Sequence, residues 1–240
     1  MIVEGRNSVQ EIINSDKTVD KILVQNGLRD EESKRLVFKI KESGIKFSYT
    51  DKAVLDKLSH SKKHQGFIAV ITEFNYSEIE DIISDAQEKD GLIVILDGIE
   101  DPHNLGSIIR VCECAGVCGI VLGKHRQAMV SDTVMRISEG SASHVKIARV
   151  TNINNAIKQI KDSGIFVYSL ELGGQDIYKT NLTGKIAIVV GGEDTGVNSL
   201  TQKLSDGVIA IPTCGKINSL NASVATGIAV FESVRQRQGK

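Results

Sequence analysis

The side chains that could carry chemistry lie in three segments, and each segment follows a run of apolar residues. The first segment extends from Leu96 to Arg110 and passes through a polar loop into a helix. We expect Asn104 to cap that helix and Arg110 to lie in its second turn. A cap and a solvated charge would explain both residues. A long cation near the carboxyl end of a strand is also typical of ligand sites in α/β proteins.

The second segment places an acidic pair between glycines. It runs from Ile188 to Val197 and contains Gly191, Gly192, Glu193 and Gly196. Glycines let a ligand approach the backbone closely, and a carboxylate beside them can bind a hydroxyl or an amine. A tight turn before a helix would give the same pattern, so this segment alone leaves both interpretations open.

The third segment joins a strand to a helix of small residues. The strand ends at Ile211-Pro212, a loop crosses Gly215, and the helix begins near Asn221. Small residues allow that helix to pack closely against the sheet or against a second subunit. The side chains of Ser219 and Asn221 could hold a small polar ligand, although helix capping and packing explain the segment equally well.

Alternating strands and helices must position these segments. The apolar run 92–96 predicts a buried parallel strand. Further strands are expected at 119–122, 145–148, 165–170, 185–190 and 208–211. Helices are expected at 105–115, 132–139, 154–163, 198–204 and 222–237. This alternation predicts an α/β fold with a parallel sheet covered on both faces.

The chain divides into two α/β regions. Residues 1–73 alternate between helical and strand patterns, beginning with a helix near residue 9, and we interpret them as a small separate domain. Residues 74–90 are acidic and suggest a linker that carries a helical turn or two. Residues 91–240 form the larger domain, which contains all three polar segments.

Composition excludes some classes of protein and leaves others open. Hydrophobic residues make up 41% and charged residues 25%, which excludes wholesale disorder. No apolar run approaches the roughly 18 residues that cross a bilayer, so we expect no membrane partner. The first residues lack the apolar core of a signal peptide, so we expect a cytoplasmic protein. The net charge of −1 gives no sign of nucleic-acid binding.

Three cysteines lie close together in the sequence, which raises the question of a metal site. Cys114 and Cys118 would share a face of a helix while Cys112 points elsewhere, and no nearby pair of His or Cys completes a tetrahedral set. We therefore interpret them as small core residues and expect no metal. His103 could act as a base, but a histidine in a loop before a helix cap is more often structural.

In order and spacing, the three segments resemble the signature motifs of the SpoU/TrmH family of SPOUT RNA ribose methyltransferases. The matching residues are Asn104–Arg110, Gly191–Gly196, and Ile211-Pro212 with Ser219–Ala225. The resemblance covers residues 91–237, with Ala222 where the family more often has valine. Residues 1–73 and the terminal Glu232–Arg237 resemble the ribosomal branch of the family. A dinucleotide-binding oxidoreductase would instead need Gly-x-Gly-x-x-Gly in the first segment, which lacks it.

The resemblance implies a fold, a cofactor and a set of site residues. Members of this family have a C-terminal parallel-sheet SPOUT domain with a trefoil knot, bind S-adenosyl-L-methionine in the knot, and place the active site at a homodimer interface. The positions that match catalytic residues are Asn104, Arg110, Glu193, Ser219 and Asn221. The positions that match cofactor-binding residues are Gly191, Gly192, Gly196, Ile211, Leu220 and Ala222.

The same resemblance implies an RNA substrate, with residues 1–73 as the RNA-binding domain. We expect 2′-O-methylation of a guanosine ribose in 23S rRNA, and no DNA partner. Transfer RNA or another rRNA nucleotide would need the same chemistry, and a catalytically silent RNA-binding factor in ribosome assembly stays an alternative. The basic side chains that could contact RNA are Arg6, Lys62, Lys63, Lys124 and Arg126.

Overall fold

The computed structural model of the chain describes residues 2–15, 18–72, 74–192, 195–215 and 219–239. Contacts between residues divide the chain into two compact units. The first comprises residues 1–75 and the short segment Met129–Asp132. The second comprises residues 76–128 and 133–240.

A four-stranded sheet forms the first unit within the described residues. Its strands are β1 (Ile2–Glu4), β2 (Thr18–Gln25), β3 (Phe47–Thr50) and β4 (Phe67–Thr72). The strand order is β1-β4-β2-β3, with β2 and β3 parallel and β4 antiparallel to both of its neighbours. The helices are α1 (Arg6–Ile13), α2 (Glu31–Glu42) and α3 (Lys52–Leu58). The sequence analysis did not predict strand β1, because three residues are too few to show the alternation of apolar and polar residues that marks a strand.

The core of the first unit lies between its sheet and helices α1 and α2. Val9 of α1 and the pair Leu36 and Ile40 of α2 pack with Val24 and Phe67 of the sheet. Leu36 and Ile40 are four positions apart, so they lie on one face of their helix. Burial of this face fixes α2 on the sheet and leaves its other face to solvent.

Six parallel strands build the sheet of the second unit in the described part of the chain. They are β5 (Leu92–Asp97), β6 (Gly119–Gly123), β7 (Ile147–Val150), β8 (Phe166–Asp176), β9 (Ile186–Gly191) and β10 (Gly207–Ala210). Their order is β10-β8-β9-β5-β6-β7, and all neighbouring pairs are parallel. The predicted α/β fold with a parallel sheet is confirmed. The trefoil knot stays a prediction.

Helices cover both faces of this sheet. They are α4 (Ile79–Glu88), α5 (Pro102–Cys114), α6 (Asp132–Ile137), α7 (Ile153–Asp162), α8 (Ser199–Leu204) and α9 (Ala222–Gln238). Apolar residues of α4 and α7 pack with Ile93 and Ile95 of β5. The alternate residues Val94 and Leu96 point to the opposite face, where α5 packs against α9. Of the helices described, none is long and apolar enough to cross a membrane.

Residues 79–88 differ from the linker expected at 74–90. They form α4, a helix of 10 residues where the sequence suggested a turn or two. Its buried residues, which belong to the core of the second unit, are Ile79, Ile82, Ile83 and Ala86. Apolar residues at this spacing form one helical face, and burying that face stabilises the helix. The second unit therefore begins at residue 76, before the expected boundary at 91.

Side chains near the end of α9 fasten that helix to the segment before β9. Gln236 Oε1 accepts a hydrogen bond from the backbone N–H of Leu182 at 2.8 Å. Arg237 Nη2 donates to the carbonyl oxygen of Gly184 at 2.7 Å. The terminal motif Glu232–Arg237 thus has a structural role, because it ties the last helix to the sheet.

Candidate active site

The carboxyl ends of β9 and β10 and the middle of β8 border a cavity of about 420 Å³. Ligands of parallel α/β sheets bind at this edge, beyond the ends of the strands. Its walls include all six positions matched to cofactor binding, namely Gly191, Gly192, Gly196, Ile211, Leu220 and Ala222. Ser219, one of the matched catalytic positions, also lines it. The structure therefore brings the second and third polar segments together around one space.

The cavity combines apolar walls with a few polar groups. Leu170, Val190 and Ile211 contribute apolar surface, whereas Gln202 and Thr213 contribute polar atoms. Ligand pockets of this size have mostly apolar walls, with a few polar groups that fix the orientation of the ligand. The cavity can therefore hold a ligand that has a flat apolar part and a polar part.

A bulge in β8 supplies one wall of the cavity. The consecutive residues Val208 and Ile209 of β10 pair with Ser169 and Gln175 of β8, so residues 170–174 are skipped in the pairing of β8 with β10. Bulges of this kind redirect side chains and are common beside active sites. This bulge turns its side chains from the sheet toward the cavity.

Glu171 lies in this bulge, and the sequence analysis missed it. Its Oε2 accepts a hydrogen bond from the N–H of Val197 at 2.9 Å, and its Oε1 accepts one from the N–H of Leu172 at 3.0 Å. A carboxylate has lone pairs beyond these two bonds, so Glu171 can also bind a hydroxyl or an amine in the cavity. The adjacent pair Gly173-Gly174 was the signal in the sequence, since glycines inside a strand often mark a bulge.

Gly191 and Gly192 allow three segments of the chain to meet. A Cβ atom on Gly191 would lie 2.0 Å from the carbonyl carbon of Gly196, and one on Gly192 would lie 2.2 Å from the carbonyl oxygen of Gly98. Both distances are far below van der Waals contact, so only glycine fits. Glu193, the matched catalytic residue that follows in the sequence, lies outside the described residues.

Asn104 is not the helix cap that the sequence predicted. Asp101 caps α5 by accepting a hydrogen bond from the N–H of His103 at 2.9 Å, and Pro102 occupies the first position of the helix. Proline favours that position, so the helix begins earlier than expected. Asn104 is therefore buried within the first turn, where its Oδ1 accepts a hydrogen bond from Asn221 Nδ2 at 3.0 Å.

Asn221 connects the first segment to the cavity. Its Oδ1 caps α9 by accepting a hydrogen bond from the N–H of Ser223 at 2.9 Å. Its Nδ2 donates to Asn104, and the two residues before it, Ser219 and Leu220, line the cavity. Asn104 and Asn221 are thus in direct contact, Ser219 lies two residues before Asn221 in the cavity wall, and Asn221 acts as both a cap and a bridge.

Arg110 does not line the cavity within the described part of its own chain. It lies in the third turn of α5, where its half-exposed guanidinium donates to Glu139 Oε1 at 2.7 Å. Six positions along a helix amount to a shift of about 9 Å and a rotation of about 240°, so Asn104 and Arg110 point in different directions. Within the described part of a single chain, Arg110 therefore lies apart from the matched residues that line the cavity.

The three neighbouring cysteines have different environments. The helix ends at Cys114, so Cys114 and Cys118 do not share a helical face as expected. Cys112 is buried, and burial raises the pKa of its thiol, whereas Cys114 is exposed. The described residues contain no group of three His, Cys, Asp or Glu side chains that could hold a metal ion.

The basic side chains expected to contact RNA also differ in their environments. Those that are exposed are Lys62, Lys63 and Arg126, and Lys124 is half-buried. Arg6 instead pairs with Asp30 at 3.1 Å and with Glu32. Two carboxylates neutralise this guanidinium, so Arg6 is a poor candidate for a phosphate contact.

Models of known families match both units of the chain. The model described as the SpoU rRNA methylase family covers residues 91–231, which is more than half of the chain. The chain belongs to this family. A second model, described as the substrate-binding domain of RNA 2′-O-ribose methyltransferases, covers residues 2–77.

Individual proteins resemble this SpoU methylase over nearly its whole length. A TrmH family tRNA/rRNA methyltransferase of Staphylococcus haemolyticus is 36% identical over 240 residues, covering 99% of this chain and 96% of the relative. The structure of the SpoU methyltransferase AviRb of Streptomyces viridochromogenes, solved with AdoMet, has a TM-score of 0.65 at 21% identity. The match covers 100% of this chain and 91% of AviRb. The structure of an AdoMet-bound rRNA methyltransferase of Sinorhizobium meliloti has a TM-score of 0.63 at 24% identity. The match covers 98% of this chain and 86% of that protein. The two structures share the fold, and the family membership makes this SpoU methylase an RNA methyltransferase.

Proposed function

We propose that this protein transfers a methyl group from S-adenosyl-L-methionine to the 2′-hydroxyl of a guanosine ribose in 23S rRNA. This is the activity of the 23S rRNA guanosine-2′-O-methyltransferase RlmB, which the sequence resembles. One observation carries the proposal, namely the cavity where the second and third motifs of the family meet. The first motif joins them through the hydrogen bond between Asn104 and Asn221.

The walls of the cavity fit the proposed cofactor. Ile211 and Leu220 offer apolar surface for an adenine ring, and the backbone near Gly191 can pair with its polar edge. Glu171 can accept hydrogen bonds from ribose hydroxyls or from the amino group of the methionine part. When bound, S-adenosyl-L-methionine supplies an activated methyl group for transfer to oxygen.

Arg110 would position the RNA and stabilise charge on the 2′-oxygen. A guanidinium stays protonated near neutral pH, so Arg110 cannot remove the proton itself. It can donate two hydrogen bonds to the developing alkoxide and the adjacent phosphate, while water or a phosphate oxygen takes the proton. Its exposed ion pair with Glu139 contributes little stability, so a phosphate can replace that carboxylate.

The active protein would be a homodimer. Arg110 lies away from the cavity of its own chain, and in a dimer it would reach the cavity of the partner subunit. Helix α9 exposes 49% of Val224 and 46% of Phe231, two apolar residues that lie seven positions apart on one face. A second subunit that covered this face would bury both of them.

Transfer RNA is the second candidate substrate, because the Staphylococcus haemolyticus relative is named as a tRNA/rRNA methyltransferase. Incubating the purified chain with methyl-labelled S-adenosyl-L-methionine and total RNA, followed by separation of the RNA classes, distinguishes the two. We expect the label in 23S rRNA and saturable cofactor binding by calorimetry. Label in tRNA alone would select the second candidate, and a chain that binds no cofactor would contradict the proposal.

A further inference from the structure

We propose that a groove on the first unit, between α2 and β3, binds an unpaired RNA nucleotide. The base would stack on Phe38 or Tyr49, and the phosphate would lie near Lys34 and Lys41. The groove has a volume of about 270 Å³ and is lined by residues of β2, α2 and β3 and of the loop after β2. This proposal rests on the proposed function, since it names a site that would hold the RNA substrate.

Two aromatic side chains are exposed at this groove. Phe38 is 61% exposed and Tyr49 is 53% exposed, although aromatic side chains of a folded domain gain most when they are buried. The ring of Phe47 meets Tyr49 edge-on, with centroids 5.7 Å apart and an interplanar angle of 79°. Unpaired RNA bases stack on exposed aromatic rings of this kind, and stacking tolerates any base.

Residues of α2 form one wall of the groove as a continuous stripe along the helix. Lys34, Val37, Phe38 and Lys41 all line it, and they follow each other at helical spacing. The stripe therefore places two apolar residues between two lysines over about two turns. This arrangement matches a nucleotide, whose phosphate is anionic and whose base is flat and apolar.

The charge of the groove favours an anionic partner, such as a phosphate, over a basic or neutral one. Among the described residues that line it, two are lysines and none is Asp or Glu. Lys34 pairs with Glu31 at 2.8 Å, but both side chains are exposed and such a pair contributes little. Lys41 makes no ion pair within the described part of the chain. Phosphate binding by such lysines drives much of the affinity for RNA.

Ser33 also lines the groove, at the start of α2. Only 1% of the residue is exposed, and its backbone N–H donates to Asp30 Oδ1 at 2.9 Å. Its hydroxyl interacts with the same carboxylate, and both contacts hold the pKa of Asp30 below its usual range. Ser33 therefore fixes the first turn of α2 beside the groove, and the aromatic rings and lysines are left to bind the nucleotide.

The test uses the full chain and a fluorescein-labelled single-stranded RNA oligonucleotide of mixed sequence, followed by fluorescence anisotropy. We expect Phe38→Ala and Tyr49→Ala each to raise Kd about tenfold, within the range for loss of one stacked base. Lys41→Gln should raise Kd about threefold and make the dependence of Kd on salt shallower. All three changes lie at the surface, so the temperature of unfolding should not change.

Two matched variants control for general effects. Phe166→Ala removes another exposed aromatic ring, on the second unit, and Lys39→Gln removes an exposed lysine of α2 that does not line the groove. Both should bind the RNA like the unchanged chain. Equal losses of affinity in the control and groove variants would overturn the proposal.

Three further outcomes would also overturn it. They are an unchanged Kd in the double variant Phe38→Ala/Tyr49→Ala, no binding of the oligonucleotide by the unchanged chain, and altered subunit number in place of altered RNA affinity. The last outcome, measured by light scattering, would identify the groove as a contact between copies of the chain. Titration with S-adenosyl-L-methionine separates this proposal from the proposed function. The groove variants should bind the cofactor as the unchanged chain does. If the unchanged chain did not bind the cofactor, that result would count against the proposed function alone.

Discussion

At the scale of single residues, the proposed function gives Arg110 the task of activating the ribose hydroxyl. If the planar guanidinium stabilises the alkoxide and the neighbouring phosphate, the single ammonium group of lysine cannot replace it. We expect Arg110→Lys to lower kcat about 100-fold, similar to the loss of one donor to a developing oxyanion. The pH–rate profile of the variant should run parallel to that of the unchanged chain, because Arg110 does not take the proton.

Glu139→Gln provides the matched control for Arg110. It removes the charge that pairs with the guanidinium at 2.7 Å, which should leave Arg110 free for phosphate and keep kcat unchanged or higher. Near-normal activity of Arg110→Lys would contradict a role that needs two parallel donors. A shifted pH–rate profile in that variant would point to Arg110 as the base instead.

Glu232 links the stability of the protein to acid. Arg235 donates two hydrogen bonds to its buried carboxylate, both at 2.8 Å, and these hold the pKa of Glu232 below its usual range. A lowered pKa in the folded state means that this stability is present above the usual pKa of about 4.3 and is lost as the pH falls below it. We therefore expect Glu232→Gln to flatten the fall in the free energy of unfolding below pH ~5, measured with urea.

The control for this change is Glu88→Gln, which alters an exposed carboxylate at the end of α4. That variant should keep the acid dependence of the unchanged chain. An equal slope in all three proteins would show that the contacts of Glu232 do not contribute to acid stability.

At the scale of elements, the ends of β5 and β9 meet too closely for any side chain. A Cβ on Gly192 would lie 2.2 Å from the carbonyl oxygen of Gly98, a backbone atom that cannot swing aside. We expect Gly192→Ala to cost about 1–3 kcal/mol of stability and to abolish measurable binding of S-adenosyl-L-methionine by calorimetry.

Gly227→Ala is the matched glycine control. A Cβ there would lie 3.7 Å from Val111 Cγ1, an ordinary contact, and the residue lies inside α9. Alanine favours helix by about 1 kcal/mol over glycine, so this variant should be at least as stable as the unchanged chain. If Gly192→Ala bound the cofactor normally, the cavity beside it would not be the cofactor site.

The elements that the sequence predicts well are those with strong local patterns. The strands β5 and β9 are continuous apolar runs, and α9 has a capping residue at Asn221, so each was located within a few residues. The start of α5 was misplaced because the pattern Asp101-Pro102 was not recognised as a cap followed by proline. The acidic residues of α4 suggested a linker, but the helical spacing of its apolar residues is the stronger signal, because it marks a face that can be buried.

Parts of the candidate site depend on contacts between residues that are far apart in the sequence, and no local sequence pattern predicts such contacts. The bulge at 170–174 exists because β10 skips those residues when it pairs with β8. The hydrogen bond between Asn104 and Asn221 joins positions 117 apart in the sequence. The family motifs predicted that the two asparagines share a site, but only the folded chain places Glu171 in the wall of the cavity, with the motif residues Gly191 and Gly196.

At the scale of the whole molecule, the proposed homodimer makes a direct prediction. Val224 and Phe231 expose apolar surface on one face of α9 that a second subunit would cover. A charge in the middle of such an interface is strongly unfavourable, so Phe231→Glu should produce a folded monomer in light-scattering measurements. That monomer should have lost methyl transfer, because Arg110 could no longer reach a partner's cavity.

Phe166→Glu is the control for the dimer, since it places the same charge at another exposed aromatic residue, at the start of β8. It should stay dimeric and active. A native chain that is monomeric and fully active would contradict the shared site, and Arg110 would then have to act within its own subunit.

Mapping of ribose methylation in rRNA and tRNA from a strain that lacks this protein tests the central claim most directly. We predict the loss of one 2′-O-methyl mark, on a guanosine of 23S rRNA, and its return when the unchanged chain is supplied but not when Arg110→Ala is supplied. A missing mark in tRNA would contradict the rRNA assignment alone. If every ribose mark in both RNA classes stayed in place, the proposed 2′-O-methyltransferase activity would be wrong.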